Sequence, residues 1–177
     1  KMGPALAAGN TVVLKPSELT PLSALRVAEL VADVGFPAGV VNVVPGYGRL
    51  AGQRILDHPD VAKVSFTGST DIGRRVVTSS AASLKRVHLE LGGKGANVVF
   101  PDADLAAAVA GTAFGIFHNQ GQACIAAIRL IVHESVAEEF LAALVSLAES
   151  IRLGDPKAAE TEMGPLTSPQ HRDRVLS

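Results

Sequence analysis

The sequence predicts an α/β protein built on parallel strands, and three observations predict it. Short β-branched runs alternate with longer stretches that read as helices, which is the rhythm of right-handed βαβ units. Val40-Val41-Asn42-Val43-Val44 is apolar enough for a strand covered on both faces, as strands of parallel sheets are. Glycine turns follow strand-like runs at Gly46-Tyr47-Gly48 and at Gly68-Ser69-Thr70, where strand-to-helix connections belong.

Gly9-Asn10 has the look of a helix end, and Thr11-Val12-Val13-Leu14 is the first strand. Thr20-Pro21 supplies a cap and a first-turn proline to a helix running to about Val34, closed by Gly35-Phe36-Pro37. The buried strand 40–44 follows, and its glycine turn leads into a helix around residues 50–56. Residues 61–66 form the next strand, a helix starts near Asp71, and residues 87–91 form a fourth strand. Gly92-Gly93 makes a flexible turn. It places a domain boundary there, with residues 1–91 in one domain and 92–177 in the next. In the second block residues 97–100 are a strand, and Pro101-Asp102-Ala103-Asp104 caps an alanine-rich helix ending near His118. Residues 130–133 are a strand, and Ser135 opens an amphipathic helix to about Ser150. From Leu153 the pattern weakens, and the last residues read as part of a helix. With Lys1 first and no start methionine, the chain is expected to be a segment truncated at both ends.

Composition narrows the function classes. Of 177 residues, 47% are hydrophobic and 19% charged, with a formal net charge of −1. That lacks the basic stripe wanted by nucleic acid or an anionic membrane. Aromatics at 4% leave little for base stacking, and no apolar run reaches the roughly 18 residues of a membrane span. One cysteine can form neither an internal disulfide nor a structural zinc site. A cytoplasmic setting fits. The five histidines show no metal spacing and read as structural or exposed, so no metal is expected.

Each chemistry-bearing motif has two readings. The turn at residues 68–73 suits a pyrophosphate, because backbone N–H groups and the positive helix end meet there; it also fits an ordinary capped turn. Gly46, Gly48 and Gly52 fit either a dinucleotide turn or close helix packing. Lys15-Pro16-Ser17-Glu18 follows the first strand, at the end where parallel sheets bind ligands. A carboxylate there can accept ribose hydroxyls and repel a 2′-phosphate, and the segment can equally be a solvated Lys/Glu loop. Cys124, in Gly121-Gln122-Ala123-Cys124, is either an inert core thiol or a nucleophile. Glu90, 34 positions earlier by 124 − 90, is either a structural carboxylate or the group that activates water.

Taken in order, residues 4–11 (Pro-Ala-Leu-Ala-Ala-Gly-Asn-Thr), Lys15-Pro16-Ser17-Glu18, Phe66-Thr67-Gly68-Ser69-Thr70, Glu90-Leu91-Gly92-Gly93-Lys94 and Gly121-Gln122-Ala123-Cys124 resemble the NAD(P)-dependent aldehyde dehydrogenase superfamily. Residues 43–48 and Met163-Gly164-Pro165-Leu166 extend that likeness over the chain. The resemblance implies a Rossmann-like NAD-binding domain, followed by the start of an α/β catalytic domain that carries the nucleophile. It implies Cys124 as nucleophile and Glu90 as general base, acting through a thiohemiacetal and a thioester. The implied cofactor residues are Lys15, Ser17 and Glu18 near the ribose; Gly48, Gly52, Phe66 and Thr67 in the cleft; Gly68, Ser69 and Gly73 at the pyrophosphate; Ile72 at the adenine; and Leu91 and Gly92 by the nicotinamide. NAD is implied in preference to NADP, with a small aldehyde as substrate and a homodimer or homotetramer for the full-length protein.

The sequence also departs from the family. Ala126-Ala127-Ile128-Arg129 stands where Ala-Gly-Ser-Arg is usual, and Arg49 where proline is frequent. The family's oxyanion asparagine and second glutamate are expected outside residues 1–177, so the segment alone is expected to be nearly inactive. Two other functions stay open: an acylating, coenzyme A-dependent semialdehyde dehydrogenase, which the presence of Glu90 disfavours, and a non-catalytic remnant.

Overall fold

A computed structural model describes residues 1–177. The chain forms two compact units, Lys1–Leu91 and Gly92–Ser177.

The first unit runs α1 (Met2–Ala7), β1 (Val12–Leu14), α2 (Leu22–Asp33), β2 (Val41–Val43), a π-helical turn (Gly48–Gly52) continuing into α3 (Gln53–Asp57), β3 (Lys63–Gly68), α4 (Thr70–Ala81) and β4 (Arg86–Leu91). All pairing is parallel: β1 with β2 in the register Val12↔Val41, and β3 with β4 in the register Lys63↔Arg86 through Gly68↔Leu91. The strands pair two by two rather than in one continuous sheet. Each crossover helix returns the chain to the strand beside the one it left, and the three-residue β1 and β2 offer short edges to any further partner.

Several local details depart from the sequence expectation. Pro21 itself occupies the cap position of α2, and no side chain caps that helix. The expected helix at 50–56 opens as a π turn at Gly48–Gly52, entered from extended backbone at Tyr47. Ser69 caps α4 by accepting from the Ile72 amide at 3.4 Å, with Asp71 in the first turn where the helix dipole favours it.

Lys85 is buried just before β4, and its ammonium donates to the His58 carbonyl at 2.6 Å and the Val61 carbonyl at 2.8 Å. The turn entering β3 is thereby tied to the start of β4. A methionine of similar length would leave two carbonyls without their charged donor. Lys85→Met is expected to lower unfolding free energy by about 2–3 kcal/mol, read by urea denaturation; an unchanged midpoint would refute the strut.

The second unit runs β5 (Ala96–Val99), α5 (Leu105–Phe117), a short turn (His118–Gly121), β6 (Arg129–Val132), α6 (Glu134–Ser150) and α7 (Pro169–Leu176). β5 and β6 are parallel, from Ala96↔Arg129 to Val99↔Val132. Its core is Val99, Val109 and the fully enclosed Phe140, packed with Leu105, Ala108, Leu130, Val132, Leu144 and Leu147. Asp104 alone caps α5, accepting from the Ala107 amide at 3.0 Å. Helix α6 starts one residue earlier than expected, because the His133 ring nitrogen, not Ser135, serves as its cap at 3.3 Å from the Ser135 amide.

Candidate active site

The loop that carries Cys124 follows the end of α5. After Phe117 three consecutive residues take left-handed backbone: Asn119 at φ 53°, Gln120 at φ 57° and Gly121 at φ 71°. Glycine holds this freely and asparagine tolerates it, but a glutamine Cβ meets the following carbonyl there. Hydrogen bonds hold the turn. The Gln122 amide donates to the Asn119 carbonyl at 3.0 Å, and the Asn119 side chain donates to the Gln122 carbonyl at 3.1 Å. The turn aims the chain outward. Cys124 is exposed, so it is not a core thiol.

The chain then folds back toward β6, with the Ala127 amide donating to the Gly115 carbonyl at 3.3 Å. Ala126 is buried behind the loop, and a Cβ built on Gly115 would lie 3.9 Å from the Ala127 methyl. The departure at Ala127 therefore packs on α5, while Ile128 stays 45% exposed. A Cβ on Gly93 would sit 3.6 Å from the Cys124 carbonyl oxygen, so the glycine pair runs beside the loop.

Glu90 lies in the first unit, on β4 opposite Thr67 of β3. Strand alternation puts Val87, Leu89 and Leu91 on the half-buried face and His88 and Glu90 on the exposed one. The Glu90 carboxylate lies 3.0 Å from the His88 ring nitrogen Nε2. The Lys1 ammonium sits near enough to feel Glu90, which opposes the lowering of its pKa by burial. The sequence reading missed both neighbours. The i, i+2 spacing of His88 and Glu90 on a strand was the available signal for the first, whereas nothing local marks Lys1.

The residues assigned to the cofactor gather at the carboxyl ends of the two strand pairs of this unit. At the β1–β2 end, the Lys15 ammonium donates to the Pro16 carbonyl, to the Gly46 carbonyl at 3.0 Å and to Glu18 at 3.4 Å. A Cβ on Gly52 would lie 3.5 Å from the Lys15 stem, so that glycine makes room for it. Gly48 begins the π turn beside it, with open space where a Cβ would stand. A hydrogen bond from its own backbone amide holds the Glu18 carboxyl below the usual carboxylate range; Lys15 assists and slight burial opposes. The Ser17 hydroxyl instead closes a local turn, accepting from the Leu19 amide at 3.2 Å.

At the β3–β4 end, the Phe66 ring folds onto Gly68, where a Cβ would come within 2.6 Å. Gly73 is buried, and a Cβ there would meet both Leu91 methyls at 2.9 Å, which is how α4 approaches β4 so closely. Thr67 and Ser69 are exposed, and Ile72 remains 41% exposed on the first turn of α4. Gly92 begins the second unit and is likewise exposed. No helix is long and apolar enough to cross a membrane.

Comparison with known proteins places this architecture. The model of the aldehyde dehydrogenase family matches residues 1–177. An aldehyde dehydrogenase of Agaricus bisporus is 52% identical over 178 residues, covering 100% of this chain and 36% of that protein. Among solved structures, PnpE of Pseudomonas sp. WBC-3 is 66% identical with a TM-score of 0.97, covering 99% of this chain and 36% of that one; it has also been solved with nicotinamide adenine dinucleotide. The NAD+ complex of an aldehyde dehydrogenase from Bacillus cereus is 50% identical with a TM-score of 0.97, at 99% and 36% coverage. The chain thus spans about 36% of the length of the relatives it matches. With a family model matching every residue and sequence identities of half or more, the chain belongs to the aldehyde dehydrogenase family.

Proposed function

We propose that the protein carrying this chain oxidises an aldehyde to a carboxylic acid with NAD+ as hydride acceptor. The observation that carries the reading is the exposed Cys124 thiol, presented by a braced left-handed turn in a chain of this family. In the proposed cycle the Cys124 thiolate adds to the carbonyl carbon to form a thiohemiacetal. Loss of hydride from that carbon leaves a thioester on Cys124. Glu90 takes a proton from water as its oxygen adds, the carbon–sulfur bond breaks, and the acid leaves with the thiol restored. Bound NAD+ supplies the acceptor for the hydride.

The residues fit such a cofactor. Lys15 and Glu18 lie together beside glycines 48 and 52, and Ser69 with Gly73 opens a helix whose positive end suits a pyrophosphate. Thr67, Phe66 and Gly68 are assigned to the same cofactor, as are Ile72, Leu91 and Gly92. The first domain is proposed to bind NAD and the second to bear the nucleophile. The protein is proposed to act in the cytoplasm, as a homodimer or homotetramer.

The reading is tested by NADH formation from simple aldehydes by the full-length protein. Absence of turnover with every aldehyde, or acyl-coenzyme A as product when coenzyme A is added, would overturn it.

Glu18 supports NAD over NADP. Its depressed pKa keeps it ionised down to pH values below the ordinary carboxylate range, so it repels a 2′-phosphate at every neutral pH. Across a few ångströms of partly solvated space, that repulsion is on the order of 1–2 kcal/mol. Glu18→Ser is expected to narrow the NAD/NADP ratio of kcat/KM about tenfold. In the unsubstituted protein the discrimination should weaken first as the 2′-phosphate takes up its second proton at about pH 6 and be lost as pH falls through the lowered Glu18 value. An unchanged ratio in Glu18→Ser would move cofactor choice to another residue.

A further inference from the structure

We propose that Gln122 is a positioning residue for the Cys124 thiolate. Its carboxamide locks the left-handed turn at residues 119–121 onto the segment around Thr167 and so sets the direction in which the sulfur emerges. The inference rests on Cys124 being the nucleophile.

The polar groups of Gln122 are engaged on both sides of the loop. Its Oε1 accepts from the Thr167 amide at 3.0 Å, a link across 45 residues of sequence. Its Nε2 donates to the Asn119 carbonyl at 3.3 Å and to Gln120 Oε1 at 3.2 Å. Its backbone amide and carbonyl close the turn with Asn119.

The far anchor is itself held. Leu153 and Met163 form a parallel bridge, the Arg152 amide donates to Glu162 at 3.1 Å, and the Ser168 hydroxyl caps α7 at 3.1 Å from the His171 amide. The chain before and after Thr167 is thus held, and Gln122 links that segment to the loop.

The turn cannot hold itself as firmly. Gln120 carries a Cβ in left-handed backbone, which favours relaxation once the bonds are cut. A side chain at Gly121 would be strained at its φ of 71° and would crowd the Ile116 carbonyl oxygen at 3.2 Å. Cys124 is two residues from Gln122, so relaxation of the turn redirects the sulfur while leaving it exposed.

The test uses the full-length protein. Gln122→Met keeps the length of the side chain and removes its hydrogen bonds. Pre-steady-state hydride transfer to NAD+ is expected to fall about 10–100-fold, the effect of an ångström-scale misplacement. Aldehyde KM should stay within about threefold, and iodoacetamide should still alkylate Cys124, located by peptide mass mapping. Adding Gln120→Gly, which holds positive φ without a Cβ, should recover part of the lost rate.

An unchanged hydride-transfer rate in Gln122→Met, or no recovery in the double variant, would overturn the proposal. Should Gln122→Met fail to fold, Gln122→Glu retains an acceptor for Thr167 and loses the two Nε2 donors; a rate equal to that of the unsubstituted protein would overturn the proposal as well. Cys124→Ala separates the two readings. Full turnover in that variant sinks the nucleophile itself, whereas its inactivity beside a fully active Gln122→Met sinks only the positioning role.

Discussion

Replacing Cys124 by alanine in the full-length protein is expected to abolish NADH formation from aldehyde, with kcat/KM falling by at least about 10⁴-fold. The magnitude follows from the chemistry proposed for the thiolate. An aldehyde carbon gives up hydride readily only after a nucleophile has added and made it tetrahedral and electron-rich. With the side chain cut back to a methyl group, no atom of this residue can add. Cys124 is the single cysteine of the chain, and it is exposed. Truncating it therefore opens no cavity within this segment, and the variant is expected to fold as the unsubstituted protein does. Matching far-UV circular dichroism and thermal midpoint, together with lost NADH formation, is the expected pair of results. Retained turnover would show that another group performs the addition.

Replacing Glu90 by glutamine is expected to slow steady-state turnover about 10²–10⁴-fold, the usual worth of a positioned general base, and to leave the first hydride transfer nearly intact. The two steps differ in what they need. Hydride loss follows addition of the thiolate and requires no proton removed from water, whereas thioester hydrolysis does. Stopped-flow mixing should therefore show a burst of about one NADH per active site followed by a slow phase. The amide is close in size to the carboxylate and sits on the exposed face of β4, where it can keep a contact with His88 at little cost in folding. A single slow phase without a burst would place Glu90 in the hydride step, and undiminished turnover would remove it from the mechanism.

The strand–helix alternation was legible because its signals are local: β-branched runs, turn glycines and an aspartate cap lie within a few residues of the elements they set. The pairing of β3 with β4 through α4 follows from chain order and handedness, and the buried Gly73 against Leu91 is the close approach that a helix glycine after a strand implies. Caps were harder to place. His133 took the role expected of Ser135, and Pro21 took the cap position of α2, because several residues near a helix start can meet the same need. The π turn at residues 48–52 left no periodic trace, since its five residues are too few to show one.

For the site, the motif order by itself determined the family and nominated Cys124 and Glu90 as candidates, since both lie within contiguous runs whose residue identities carry the likeness. Tertiary structure alone decided that the thiol is exposed, that Glu90 faces His88, that Lys85 ties two turns, and that Gln122 reaches Thr167. The division has a physical origin. Propensity, capping and turn chemistry act over a handful of neighbours and leave their mark in the residue order. Burial and long-range hydrogen bonds depend on which segments packing brings together, and no short window of sequence records that.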